Sequence, residues 1–210
     1  MSIQLDKVQP KNRVQLEQLI DYAFKHNIYD LNFIDTSKIT DMCELFEYIE
    51  HNFDVSSWDM SNVKNMSYMF YRCYKFTGKG IGNWNVSNAK DIGGMFAGCE
   101  KFDCDLSGWD VSNVKDMSYM FYCCYDFNCD LSNWNVSNAK DIGGMFAGCE
   151  KFDCDLSNWD VSNVTDMSYV FIDCEKFKGK GLENWNVTNV TNMRRMFDGC
   201  NKMTIPNWYK

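Results

Sequence analysis

Eleven cysteines, two histidines and regularly spaced aspartates are the groups in this 210-residue chain with chemistry to offer. Cys73, Cys99, Cys124, Cys149, Cys174 and Cys200 hold one repeated place, each three residues after a Phe. A second column, Cys104, Cys129 and Cys154, occurs only in the middle of the chain. Thiolates could hold zinc, but structural zinc sites want two separated pairs at short intervals. Cys99-x4-Cys104, Cys124-x4-Cys129 and Cys149-x4-Cys154 do not have that spacing. Cysteines could instead pair as a disulfide framework or fill a narrow interior as free thiols. Free Cys behaves as a small hydrophobe and is among the most buried residue types. One thiol per repeat at one place favours buried free thiols, and with them a reducing compartment.

The remaining candidates are sparse. His26 and His51 both lie outside the regular repeats, so neither a His-activated nucleophile nor a His-rich metal site is expected. Asp103, Asp105, Asp153 and Asp155 could form an acidic strip offering oxygen ligands to calcium. No Gly-bounded Asp loop of calcium-binding spacing accompanies them, which leaves a solvated face as the reading. Gly78-x-Gly80-x-Gly82 lacks the strand-then-helix setting and the lysine of a phosphate loop. The sequence therefore predicts no catalytic residue, no cofactor and no metal, and no enzyme.

The elements that position these groups follow from a period. Six times a Trp is followed twelve residues later by Phe and fifteen later by Cys, from Trp58/Phe70/Cys73 to Trp185/Phe197/Cys200. Successive Trp residues lie 26, 25, 25, 25 and 26 apart. A unit that short cannot bury its own apolar face. Stacking units builds a continuous core, and the expected fold is an α/β repeat solenoid. Within Phe102–Cys124, Phe102, Cys104 and Leu106 alternate with polar residues as on a short half-buried strand. Val114, Met117, Met120/Phe121 and Cys124 are then three or four apart, as on a helix, part of it 3-10. Ser112-Asn113 would supply the N-cap and Asp116 would suit the helix dipole. The expectation is a leucine-rich-repeat-like right-handed coil with one short strand and one short helix per turn of about 25 residues. Strands stack at about 4.8 Å and helices at about 8–10 Å, so such a coil should curve with strands on its concave side. A wholly β-helical turn is the competing fold.

A longer rhythm overlies the first. Residues 83–107 are identical to 133–157, which makes the order ABAB. Type A carries Tyr68, Tyr119 and Tyr169 where type B has Gly94 and Gly144. Large beside small lets neighbouring layers interlock. The residue after each Trp alternates Asp59, Asn85, Asp110, Asn135, Asp160, Asn186, which separates like charges and could extend a ladder of amide bonds. The column Asn62, Asn88, Asn113, Asn138, Asn163, Asn189 should serve the bend amides.

Three regions result. Residues 1–29 are read as an N-terminal helical cap, with Val14, Leu16, Leu19, Ile20, Ala23 and Phe24 on the apolar face of a helix after Pro10. Residues 30–204 are a solenoid of one degenerate and six regular repeats, and 205–210 a partial repeat through which two copies could join end to end. The formal net charge of -8 argues against nucleic acid as a partner. No stretch approaches the roughly 18 apolar residues of a membrane span. The beginning carries no apolar leader, which favours an intracellular place.

The phrase NWDVSNVTDMSYVFIDCEKF, residues 158–177, with its sibling GWDVSNVKDMSYMFYCCYDF, resembles the bacterial surface protein 26-residue repeat. That family is related to BspA-like leucine-rich repeats, whose units carry a Phe-x-x-Cys-x-x-Leu/Phe core. The resemblance spans about residues 30–204 and recurs six times. It implies solenoids of surface lipoproteins and adhesion proteins, with no catalytic residue, and hence surface exposure as the alternative location. The expected function is a non-enzymatic scaffold for a protein partner, with a cell-surface adhesin or host-factor binder as the alternative. Its candidate surfaces are the acidic Asp103, Asp105, Asp130, Asp153 and Asp155, flanked by Lys79, Lys178 and Lys180, and the edge formed by Tyr68, Tyr119 and Tyr169.

Overall fold

The structure, a computed structural model, describes residues 6–210. Corners made by short polar side chains set the path of each repeat. Asp105 Oδ1 accepts the Ser107 amide at 2.9 Å, Asp110 the Ser112 amide at 3.0 Å and Asp116 the Ser118 amide at 2.9 Å. Asp and Asn imitate a backbone turn in this way, so each bends the chain locally. Asn85 and Asn135 make the same bond to Ser87 and Ser137. The alternating Asp/Asn column thus builds corners, not the ladder between repeats expected of it. The other Asn column does tie repeats together. Asn88, Asn113 and Asn138 donate to the carbonyls of Ser61, Ser87 and Ser112 at 2.7–3.0 Å.

After the third corner the backbone runs through overlapping turns. The amides of Met120, Tyr122 and Cys124 donate back to the carbonyls of Met117, Tyr119 and Phe121. The intervening amides of Met117, Tyr119, Phe121 and Cys123 donate forward, at 2.8–3.0 Å, to Asp141, Gly143, Met145 and Ala147 in the next repeat. Single-residue parallel bridges mark the column Asp41, Asn65, Asp91, Asp116, Asp141, Asp166, Asn192, so successive repeats lie rung upon rung. Tyr119 and Cys123 have φ of 54° and 55°, and the equivalent residues of the other rungs are also left-handed. A left-handed residue at every fourth position prevents a helix from propagating.

The expected strand and helix in each turn are therefore absent. Among the described residues the regular elements are α1 (Arg13–Lys25) and two 3-10 turns, Ile81–Asn83 and Leu182–Asn184. Asp116 is a corner and a bridge, not the first turn of a helix. Phe102 and Leu106 are buried as the alternation predicts, but no ladder forms there. The Leu106 amide donates to the Cys129 sulfur at 3.1 Å, and that of Leu131 to Cys154 at 3.2 Å. With neither strand nor helix in the turns, the spacing mismatch that was to curve the coil has no source, and the concave strand face falls with it.

One core runs from Leu16 to Phe197. Phe70, Phe96, Phe121, Phe146, Phe171 and Phe197 stack with centroids 5.6–5.9 Å apart. Each repeat Trp donates its indole N–H to a carbonyl one rung back, as Trp109 to Ile81 (3.1 Å) and Trp134 to Leu106 (3.0 Å). The first cysteine column does likewise: Cys99, Cys124, Cys149 and Cys174 donate to Phe70, Phe96, Phe121 and Phe146 at 3.0–3.1 Å. A thiol here fills apolar space and still satisfies a buried carbonyl, which explains why this position repeats as Cys. All eleven cysteines are free. Burial pushes the Cys73 thiol up to about 12 and those of Cys99, Cys124 and Cys174 well above the ordinary range.

The 26-residue units absorb their extra residue at one corner. Gly78 and Gly80 adopt φ of 74° and 83° before the turn Ile81–Asn83, and Gly179 and Gly181 repeat this before Leu182–Asn184. At the start, α1 is capped by Asn12, whose side chain accepts the Gln15 amide. Leu16, Ile20 and Ala23 face the first rungs, while Val14, placed on the apolar face by its spacing, is 60% exposed. Phe24 packs 5.7 Å from Phe53 and 6.4 Å from Phe46. At the other end Trp208 donates to Leu182 at 2.7 Å, taking the place of a seventh repeat Trp.

Candidate interaction surface

The five predicted aspartates fall on neighbouring rungs, and most are engaged in shaping them. Asp105, Asp130 and Asp155 occupy one column, each accepting the amide two residues ahead. The Ser107 hydroxyl and amide hold the Asp105 carboxyl below its usual range, and the Ser132 amide and hydroxyl do so for Asp130. Lys180 and then Ser157 bring Asp155 down to about 2. Asp153 accepts the Lys178 amide at 3.0 Å and pairs with the Lys178 ammonium. The strip is therefore partly neutralised from within, by Lys178 and Lys180; Asp103, Asp105 and Asp130 have no cation partner among the described residues. Asp105, Asp130 and Asp155, held ionised in this way, supply charge at a surface and do not serve as general acids at neutral pH.

The tyrosine edge is built by the left-handed positions. Tyr68 and Tyr119 project from such residues and lie over the glycines of the next rung. A Cβ on Gly94 would stand 2.3 Å from Tyr68 Cε1, and one on Gly144 2.4 Å from Tyr119 Cε1. The expected interlock of Tyr over Gly is thus present, between turns and not between helices. Tyr74, Tyr122 and Tyr125 extend the same exposed edge. Tyr169 is half-buried, with Arg194 Cζ 5.8 Å from its ring centre. Aromatic rings held this rigidly are favoured contact residues at interfaces.

Sequence reasoning missed two sites. The bridge column sets Asp91, Asp116, Asp141 and Asp166 on consecutive rungs, half-buried. Burial raises Asp91 and Asp141, whose corners end in Gly93 and Gly143 and so provide only an amide. Asp166 is also pushed up by burial, but the Ser168 and Asn192 bonds prevail and its carboxyl is lowered. The Gly–Gly pairs after Asp91 and Asp141 were the legible signal. His51 was also passed over. It sits between Phe24 and Tyr29, 4.5 Å from each, its Nε2 buried without a hydrogen-bond partner, and burial lowers its pKa.

Among the described residues no group of three or more His, Cys, Asp or Glu side chains is placed to hold a metal ion. No helix among them is long and apolar enough to cross a membrane. A family described as Mycoplasma protein of unknown function, DUF285, matches residues 14–134, 48–159 and 105–208. The chain belongs to this family. Matching in three overlapping stretches is how a repeat-built DUF285 chain aligns with its own family. No curated protein and no solved structure matches it.

Proposed function

We propose that this DUF285 chain is a non-enzymatic scaffold that presents an elongated repeat surface to a protein partner. On this reading its stacked rungs are a solenoid related to BspA-like leucine-rich repeats, built from turns instead of strands and helices. One observation carries the proposal. The corner-forming Asp and Asn side chains recur from rung to rung, each tied to the amide two residues ahead, whereas catalysis needs different groups converging on one point. The exposed tyrosines, by contrast, are bonded to no corner and face outward.

The test is affinity capture from the native organism with the intact chain as bait. Two variants serve as controls, one with Asp103, Asp105, Asp130, Asp153 and Asp155 changed to Asn, the other with Tyr68, Tyr119 and Tyr169 changed to Ser. Asn keeps the corners, as Asn85 and Asn135 already do. A partner retained by the intact chain and lost by one variant supports the scaffold and identifies its face. Equal capture by all three rejects both faces. The second reading, an adhesin or host-factor binder, rests on the BspA-like resemblance; protease shaving of intact cells separates the two.

A further inference from the structure

The Tyr edge is not uniform, and its irregularity points to a ligand. Seven residues past the bridge column stand Tyr48, Arg72, Gly98, Cys123, Gly148, Asp173 and Gly199. Each is left-handed, and Arg72, Cys123 and Asp173 each lie over the glycine of the rung that follows. At the second rung the occupant is Arg72, whose side chain covers Gly98, its Cγ 3.1 Å from where a Cβ on that glycine would be. Its guanidinium carbon stands 5.3 Å from the Tyr71 ring centre and 5.8 Å from that of Tyr48. A cation over aromatic faces is an attractive pairing, and Arg favours it because its plane can stack.

Two rungs later Tyr122 repeats Tyr71, but no cation follows it, and Gly98 stands where Tyr48 lies beside Arg72. Cys123 takes the place of Arg72, and only its sulfur, 3.3 Å from a Cβ position on Gly148, covers the floor. A hollow of about 300 Å³ remains, floored by Ala147 and Gly148, with Tyr119 and Tyr122 on one side and Tyr169 and Asp173 on the other. Asp173 is exposed and makes no ion pair among the described residues. The carboxylates of Asp141 and Asp166 are close enough to raise the Tyr119 hydroxyl, after the larger effect of its burial. The Tyr119 and Tyr122 rings, a small-residue floor and the Asp173 carboxylate suit a guanidinium, as the Tyr169 ring already takes that of Arg194, and the chain's net charge of -8 favours the approach of one.

We propose that this hollow binds an arginine side chain of the partner, stacked on Tyr122 as Arg72 is stacked on Tyr71 two rungs earlier. The inference rests on the scaffold reading and assigns its partner an exposed arginine. The experiment follows backbone amide shifts of the whole protein while a short Gly/Ser peptide with one central arginine is added. The same peptide with citrulline, which keeps the shape and loses the charge, is the comparison. Saturable shifts centred on Cys123, Ala147, Gly148 and Asp173 are expected, with the arginine peptide about fivefold tighter or more. Cys123→Arg should abolish them, since Arg72 shows that this backbone position, with the same φ of 55°, accepts arginine. Tyr122→Leu, a change at an exposed ring, should weaken them and guards against failure of the first variant to fold. Equal shifts with citrulline, shifts elsewhere, no shifts, or shifts that survive Cys123→Arg would each overturn the assignment. Failure here with partner capture intact sinks only the arginine site; arginine binding with no partner captured sinks the scaffold reading instead.

Discussion

Trp134→Phe isolates what one rung of the indole ladder contributes. The substitution removes the N–H that donates to the Leu106 carbonyl at 3.0 Å and shrinks a ring that is 2% exposed. The carbonyl is not left bare, because the Trp109 amide also donates to it at 3.0 Å. The loss is therefore one net hydrogen bond, about 1 kcal/mol, and not the larger penalty of an orphaned buried acceptor. The smaller ring forfeits about 1–2 kcal/mol more in transfer and residual cavity. Together these predict a loss of about 2–3 kcal/mol. Urea unfolding followed by far-ultraviolet circular dichroism measures it without relying on the fluorescence the substitution alters. Trp208→Phe is the internal comparison: its ring is half-buried on the last rung, and with a similar bond at stake the loss should be about two-thirds as large. A loss below about 1 kcal/mol at Trp134, or an equal loss at both sites, would refute the account of the ladder as a central source of stability.

Asp141→Asn should stabilise the protein by about 0.5–1 kcal/mol at pH 7, since Asn keeps the bond to the Gly143 amide and removes a like charge from the bridge column. A carboxyl raised by burial is destabilising while ionised, so this gain is fully present above its folded pKa and disappears as pH falls below the unfolded value of 3.8; paired urea titrations at pH 7 and 3.5 read it. Alkylation of the native protein without reductant should label no more than Cys43, Cys104, Cys123 and Cys200, with all eleven labelled after unfolding; adducts on Cys99 or Cys124 in the native state would contradict the thiol ladder. His51 is held neutral, so the unfolded chain takes up a proton that the folded one resists, and stability should decline as pH drops below about 6.5. Thermal melts of wild type and His51→Phe between pH 7.5 and 5.5, a range in which ordinary carboxylates are already ionised, should show the decline only in the former.

What could be read from the sequence was the register, and what could not was the backbone. Trp, Phe and Cys spacing places Trp134, Phe146 and Cys149 in successive columns because only side-chain identity is needed to see it. The secondary structure eluded the same reasoning for a physical reason. Each hydrogen bond of the overlapping turns spans three residues, so Val114, Met117, Met120 and Cys124 present the spacing of a helix without its ladder of bonds. The contrary signal lay in the type B repeats. Gly94 with Gly98, and Gly144 with Gly148, put two glycines four apart inside each supposed helix, where they are costly unless a positive φ is required. Alternation at Phe102, Cys104 and Leu106 misled similarly, because burial of alternate residues does not reveal that a thiol, not a neighbouring strand, takes the Leu106 amide. The acidic face was legible as residues, but its corner-forming duties depend on contacts two residues away that composition does not disclose. The vacancy opposite Gly148 needed the glycine floor, the Cys123 sulfur and the Arg72 precedent together.

The duplicated stretch has a consequence for the gene. Residues 83–107 and 133–157 are the same sequence, each following and followed by a Tyr-bearing rung. Crossing-over between their coding segments would excise residues 108–157 and yield a chain shorter by two rungs. Every junction in that shorter chain already exists in this one, so no untried packing has to be accommodated. The reciprocal product is longer by the same amount and carries a second Cys123 rung, which the first copy faces in place of Tyr169 and Asp173. Length can drift in such a lineage without the core ever being redesigned.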